Sequence, residues 1–100
     1  MEYRKIENLI YKNNLIDPTR YKTKKEYNLK LDMMLIENLK KCIEKKIPID
    51  MNENDLTKIY KIYLRLVKNK YDINRTFITD IANLSTKKLD YYTIIQNITE

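Results

Sequence analysis

The sequence predicts an all-α protein, a compact bundle of four or five helices that forms a single domain over residues 1–100. Three observations lead to this prediction. Apolar residues recur every three or four positions along most of the chain, and no alternating segment is long enough for a strand. Hydrophobic residues at 43% and charged residues at 34% are typical of a globular chain. The length of 100 residues is the usual size of one domain.

The first two helices are indicated by apolar spacing and by a proline. The first helix is predicted from about Glu2 to Asn13. Its apolar face consists of Tyr3, Ile6, Leu9 and Ile10. Asp17-Pro18 has the pattern of an N-cap followed by proline at the first helical position. The second, long helix therefore starts at Pro18, or after a short turn near Thr23, and continues to about Lys46. It is apolar over more than half its circumference, which predicts a central position.

A third helix is predicted to begin near Glu53, because Asn52 and Asp55 have the spacing of a capping box. This helix is cleanly amphipathic. Its apolar face is predicted to consist of Leu56, Ile59, Tyr60, Tyr63 and Val67. The opposite face carries a basic stripe of Lys58, Lys61, Arg65 and Lys68. Two short helices, at about residues 75–83 and 86–97, complete the predicted bundle.

The residue types that most enzymes and metal sites need are scarce. Histidine is absent, which removes the commonest general base and the commonest metal ligand. A single cysteine, Cys42, excludes an intrachain disulfide and a cysteine zinc cluster, and its place on an apolar helical face predicts burial. The segment that starts at Asp50 does not match a calcium-binding EF-hand loop. Such a loop needs glycine at its sixth position and glutamate at its twelfth, and these positions are Asp55 and Lys61 here. We expect a protein that is not an enzyme and that has no metal and no cofactor.

The composition also bears on location and origin. No apolar stretch approaches the roughly 18 residues of a membrane span, and the N-terminal residues lack the apolar region of a signal peptide. We therefore expect a cytoplasmic protein. Lysine, isoleucine, asparagine and tyrosine form about half the chain and glycine is absent, as expected from an AT-rich genome. A plasmid, phage or virus is the expected source, with the host-cell cytoplasm as the site of action.

Two short segments near the C-terminus follow a spaced apolar pattern over residues 75–94. Its apolar positions are Ile78, Ala82, Leu84, Leu89 and Tyr92. Asn83 stands where a left-handed turn residue is needed, and Ser85 stands where the second helix needs an N-cap. The segment resembles the 20-residue pattern of helix-turn-helix DNA-binding proteins. An ordinary helical hairpin would give the same pattern. The resemblance implies that DNA is contacted by Arg75, Ser85, Thr86, Lys87, Lys88 and Tyr91.

The net charge of +6 is concentrated in three clusters. The first comprises Arg20, Lys22, Lys24, Lys25 and Lys30; the second comprises Lys40, Lys41, Lys45 and Lys46; the third is the basic stripe of the third helix. Tyr21 and Tyr27 lie within the first cluster, and aromatic side chains among cations suit bases and phosphates. Solvated faces enriched in lysine by codon bias would give the same clusters.

Together these features predict a small DNA-binding accessory or regulatory protein. The helix pair near the C-terminus would contact bases, and the basic stripe with residues 20–30 would hold phosphates. Duplex DNA is the favoured partner, with RNA as another polyanion. The alternative is a small phage or viral inhibitor of a host protein, such as an anti-defence protein. A homodimer is also expected, because the helix from Tyr27 to Ile43 is apolar over more than half its circumference, and so is the last helix. In the last helix, the residues that carry this expectation are Leu89, Tyr91, Tyr92, Ile94, Ile95 and Ile98.

Overall fold

A computed structural model describes residues 1–12, 19, 21–90, 92, 94 and 96 of the protein. Four helices follow one another along the chain: α1 (Tyr3–Tyr11), α2 (Lys24–Lys45), α3 (Glu53–Lys68) and α4 (Phe77–Leu84). Residues 92, 94 and 96 are also helical. Helix α2 contacts each of the other three helices, and α3 also contacts α4. The prediction of a compact all-α fold is confirmed, and α2 takes the predicted central position.

Local hydrogen bonds explain where the two longest helices begin. Thr23 Oγ1 accepts a hydrogen bond from Glu26 N at 3.1 Å, so α2 starts after the turn near Thr23. The Asp17-Pro18 pattern lies outside the described residues. At the start of α3, Asn52 Oδ1 accepts from Asp55 N at 2.9 Å, and Asp55 Oδ2 accepts from Asn52 N at 3.1 Å. These two bonds form the predicted capping box, which satisfies amide groups that a helix leaves unpaired at its start.

One hydrophobic core collects side chains from all four helices and from the segment between α2 and α3. The fully buried large side chains include Tyr3, Ile10, Leu35, Ile36, Leu39, Ile49, Met51, Leu56, Ile59, Leu66, Phe77 and Ile78. Cys42 is buried with them, as predicted. The buried face of α3 differs from the prediction, because Leu66 is fully buried whereas Val67 is 43% exposed. Arg65 binds α2 through Asp32, which holds the Leu66 side of α3 against the core and leaves Val67 on the outer flank.

A short extended segment after α2 connects the first residues of the chain to the end of α4. Ile49 N donates to Leu84 O at 3.0 Å, and Thr86 N donates to Ile49 O at 3.0 Å. On the other side, Tyr3 N donates to Asp50 O at 3.0 Å. The two resulting parallel bridges are isolated, so the described residues contain no named strand. The sequence did not predict this three-way connection.

Near the C-terminus, the structure differs from the predicted helix pair. Helix α4 continues through Asn83 to Leu84, and the described residues with positive φ are Lys46 and Lys70. Asn83 is therefore in a right-handed helix and not in the predicted left-handed turn. Residues 86–90 are not helical, so the predicted helix start at Thr86 is wrong. The pairing of residues 84–86 with Ile49 holds Ser85 in an extended conformation and ends the helical backbone there.

Candidate nucleic-acid interface

Two of the predicted basic clusters meet in the folded chain. The first turn of α2 and the last turn of α3 enclose a groove of about 820 Å³, here called the basic groove. Among the residues that line it are Lys24, Lys25, Asn28, Arg65, Lys68 and Asn69. About 40 residues separate Lys24 and Lys25 from Lys68 in sequence. The fold therefore brings together cations that the sequence placed in different clusters.

The start of α2 explains why its lysines face this groove. Lys24 and Asn28 lie one turn apart, on the side of α2 that farther along carries the buried Leu35 and Leu39. The core ends before the first turn of α2, so this side opens onto the groove there. Two lysines in the first turn also oppose the helix macrodipole, which favours negative charge at that end. Helix stability alone therefore does not account for them.

A buried polar network forms one wall of the basic groove. Asp32 of α2 has a side chain only 3% exposed, and its Oδ2 lies 2.7 Å from Arg65 Nη2 and 2.9 Å from Arg65 Nε of α3. Tyr11 of α1 donates its hydroxyl hydrogen to Asp32 Oδ1 at 2.8 Å. The network links α1, α2 and α3. It also means that the charge of Arg65, which is 54% exposed, is largely offset by Asp32.

A second depression, of about 360 Å³, continues the basic surface along α3. It shares Tyr11, Asp32 and Arg65 with the basic groove and adds Lys58 and Lys61, together with the acidic Glu7. We call the combined surface the basic face, which comprises Lys24, Lys25, Lys58, Lys61, Arg65 and Lys68. The five lysines of the basic face are exposed, and none forms an ion pair with another residue that the structure describes. Their charges are thus available to an anion.

Burial keeps two tyrosines of this region in their neutral form. The pKa of Tyr3 is raised well above its ordinary value by burial and, second, by the charge of Glu7. The pKa of Tyr11 is raised by burial and, second, by the charge of Asp32. Both hydroxyls therefore stay protonated near neutral pH. They add no negative charge to this region, and the hydroxyl hydrogen of Tyr11 is already donated to Asp32.

The residues implied by the helix-turn-helix resemblance lie elsewhere. Ser85, Thr86, Lys87 and Lys88 line a separate depression of about 870 Å³, which has no lining residue in common with the basic groove. Lys87 Nζ lies 3.7 Å from Asp50 Oδ1, so part of its charge is offset.

Ser85 does not cap a second helix as predicted. Its hydroxyl donates to Met51 O at 3.3 Å and accepts from Lys87 N at 3.1 Å. Arg75 is exposed just before α4 and lines neither depression of the basic face. Tyr91, also predicted to contact DNA, lies outside the described residues.

The rest of the first cluster is only partly described. Arg20 lies outside the described residues, whereas Lys22 is exposed and its backbone N donates to Glu26 Oε2 at 3.3 Å. The rings of Tyr21 and Tyr27 are in contact, with centroids 6.0 Å apart. Sequence reasoning missed Tyr11, Asn28 and Asn69 as groove residues. No local pattern marks them, because their proximity depends on how three helices pack.

The described residues also bear on metal binding and on membrane insertion. In this part of the chain, no group of three or more histidine, cysteine, aspartate or glutamate side chains is arranged to hold a metal ion. None of its helices combines the length and hydropathy required to cross a membrane. Comparisons with protein families, curated proteins and solved structures find no match for this chain.

Proposed function

We propose that this protein is a small DNA-binding accessory or regulatory protein that holds the phosphate backbone on its basic face. The observation that carries the proposal is the convergence of Lys24 and Lys25 with Lys68 around one groove. Codon bias can add lysines to a sequence, but it does not make residues from distant segments meet. In this proposal the protein acts by binding rather than by catalysis, in the cytoplasm of a cell that carries an AT-rich plasmid, phage or viral genome.

Electrostatics supports a polyanion as the ligand. The five exposed lysines of the basic face have no ion-pair partner among the described residues, so phosphates would supply the missing counter-charge. The first-turn amides of α2 would favour the same anion, because the macrodipole is positive at that end. Each phosphate neutralised by a lysine releases counterions, which gives salt-dependent affinity. Duplex DNA, with its dense phosphate charge, is the partner we favour.

The resemblance to helix-turn-helix proteins enters this proposal in an altered form. Helix α4 and the helical residues 92, 94 and 96 are separated by a connection that includes residues 85–90, which is longer than the usual turn of three or four residues. Thr86, Lys87 and Lys88 are exposed on this connection. They would contact DNA as a loop beside the helix pair, and base selectivity would then come from the loop and not from the start of a helix.

The test is a binding titration with a fluorescent DNA duplex over a series of salt concentrations. The variant K24E/K25E should bind at least about tenfold more weakly than wild type, and its log–log salt slope should be smaller by about 2. Glutamate is favoured at a helix N-terminus, so this variant should remain folded. A matched control is K41E/K45E, which makes the same charge change at exposed positions of the same helix. Equal losses in both variants would mean that only net charge matters, contrary to the proposal.

Two further measurements complete the test. Thr86→Ala with Lys87→Ala should weaken a preferred DNA site more than random duplex, because base contacts carry selectivity. The same titration with duplex RNA shows which polyanion the basic face prefers. Tighter binding of RNA than of DNA would contradict the choice of DNA while leaving the basic face as the binding surface.

A second candidate function is supported by a different observation. Leu64 and Val67 of α3 are 38% and 43% exposed, and they lie on the same side of the helix. Exposed apolar side chains that cluster on one surface are typical of a protein-binding site. This favours the alternative of a small inhibitor that binds a host protein through a helical face.

A further inference from the structure

The outer surface of α3 carries a short apolar stripe. Leu64 and Val67 are exposed, and Tyr60, one turn before Leu64, is half-buried beside them. We call these three residues the apolar stripe. Their spacing of i, i+4 and i+7 places them in one row, and the row is about 10 Å long at 1.5 Å per residue. Among the described residues, Leu64 and Val67 are the only exposed large hydrophobic side chains that share a helix.

Cations run along one edge of the apolar stripe. Lys61 and Lys68 are exposed and stand three and four residues from Leu64, so both are its neighbours on the helix surface. No acidic residue occurs between Tyr60 and Tyr71. The outer surface of α3 is therefore amphipathic in its own right, apolar along one row and positively charged along the next.

The stripe is also held rigidly in place. The capping box fixes the start of α3, and Arg65 fixes its inner side to Asp32. The ring of Tyr63 meets the ring of Tyr60 edge-on, with centroids 6.2 Å apart. It also stacks on the ring of Phe77 of α4, with centroids 6.3 Å apart. A partner would thus meet a preformed surface, and binding would not require this protein to order new structure.

We propose that the apolar stripe is a docking site for an amphipathic helix of another protein, one that carries acidic residues along one edge. Apolar side chains of the partner at i, i+4 and i+7 would pack on Tyr60, Leu64 and Val67. Its carboxylates would meet Lys61 and Lys68. This proposal names the chemistry of the partner in the second candidate function and does not depend on DNA binding.

Charge decides between a partner protein and a second copy of this chain. Two copies joined through this surface would bring Lys61 and Lys68 close to the same cations of the other copy, with no acidic residue between Tyr60 and Tyr71 to offset them. Like charges held together in an interface oppose association. An acidic helix removes this repulsion and gains attraction in its place.

The probe is a synthetic amphipathic helical peptide with leucines at i, i+3, i+4 and i+7 and glutamates along one edge. A matched peptide carries lysines in place of the glutamates. Fluorescence anisotropy with the full chain should show at least about tenfold tighter binding of the acidic peptide. Leu64→Glu and Val67→Glu should each weaken this binding at least tenfold. Leu9→Glu is the matched control, because Leu9 is 46% exposed on α1, and it should leave binding unchanged.

Several outcomes would overturn the proposal. These are equal binding of the two peptides, no binding of either peptide, and equal effects of the Leu64 and Leu9 variants. Self-association of the wild type that Leu64→Glu abolishes would identify a second copy as the occupant, which also overturns it. Circular dichroism of each variant establishes that the fold is intact. The K24E/K25E variant should bind DNA more weakly and bind the acidic peptide as tightly as wild type. The two proposed functions are therefore tested separately.

Discussion

The guanidinium of Arg65 lies 2.7 Å from the carboxylate of Asp32, which is the one buried charged residue in the part of the chain that the structure describes. This contact joins α3 to α2, and the hydroxyl of Tyr11 extends it to α1. A carboxylate in such a place needs partners, because removal from water is unfavourable for an unpaired charge. The same contact fixes the orientation of α3, and with it the position of the basic stripe.

The first prediction concerns this pair. Arg65→Ala leaves the carboxylate of Asp32 buried with Tyr11 as its remaining partner, so the free energy of unfolding should fall by about 1–3 kcal/mol. The partial exposure of Arg65 keeps the loss below that of a fully buried pair. Urea unfolding measures the change. Lys61→Ala, at an exposed position of the same helix, should change stability by less than about 0.5 kcal/mol. Equal stability of the two variants would show that the contact does not support the fold.

The second prediction concerns alkaline pH. The pKa values of Tyr3 and Tyr11 are raised in the folded protein, so folding favours their neutral forms. Their contribution to stability is complete below the unfolded pKa of about 10 and is lost as the pH rises above it. Thermal unfolding should therefore show a loss of stability that begins at about pH 10 and grows as the pH is raised further. Tyr11→Phe removes one titrating group and should make this loss shallower. An unchanged pH dependence in that variant would contradict the prediction.

The third prediction concerns which residue of α3 belongs to the core. Leu66 is fully buried, so Leu66→Ala should lower the free energy of unfolding by about 2–5 kcal/mol. Val67 is 43% exposed, and Val67→Ala should cost less than about 0.5 kcal/mol. Chemical denaturation of both variants under one set of conditions gives the comparison. The reverse order would mean that α3 is rotated relative to this structure.

The fourth prediction is the homodimer. The apolar surface of α2 no longer supports this expectation, because the apolar residues of α2 pack against the other helices of the same chain. The remaining support is the last helix, where Tyr92 is 77% exposed and Ile94 is buried. Sedimentation equilibrium at micromolar concentration should give about twice the chain mass of 12.2 kDa. Tyr92→Glu should shift the protein toward the monomer, whereas Leu9→Glu should not. A wild-type monomer would contradict the prediction.

The accuracy of sequence reasoning differed between two neighbouring helices. For α3, the capping pair of Asn52 and Asp55 and the exposed basic stripe were both predicted, because each depends on residues within a few positions of one another. For α4, the predicted turn at Asn83 was wrong, because Ile49 binds the following segment from a distant part of the chain. A local sequence pattern cannot predict a hydrogen bond between residues that are more than thirty positions apart.

The candidate site shows the same division. The sequence identified all five lysines and the arginine of the basic face, since charge and helical spacing are visible in the chain itself. It did not pair Lys24 and Lys25 with Lys68, and it did not place Asp32 in the core beneath Arg65. It also assigned Val67 to the core, because a spacing of three or four residues defines a side of a helix only to within a broad sector.

The sequence by itself determined the helical class, the start of α3, and the residues that carry the positive charge. These follow from capping bonds and from periodicity, which act over one or two turns of helix. Only the tertiary structure decided which side of each helix faces the core, how residues 49–50 tie the N-terminus to the end of α4, and which cations share a groove. Those features depend on packing and on buried hydrogen bonds between distant segments, whose energies become favourable only when all four helices are assembled.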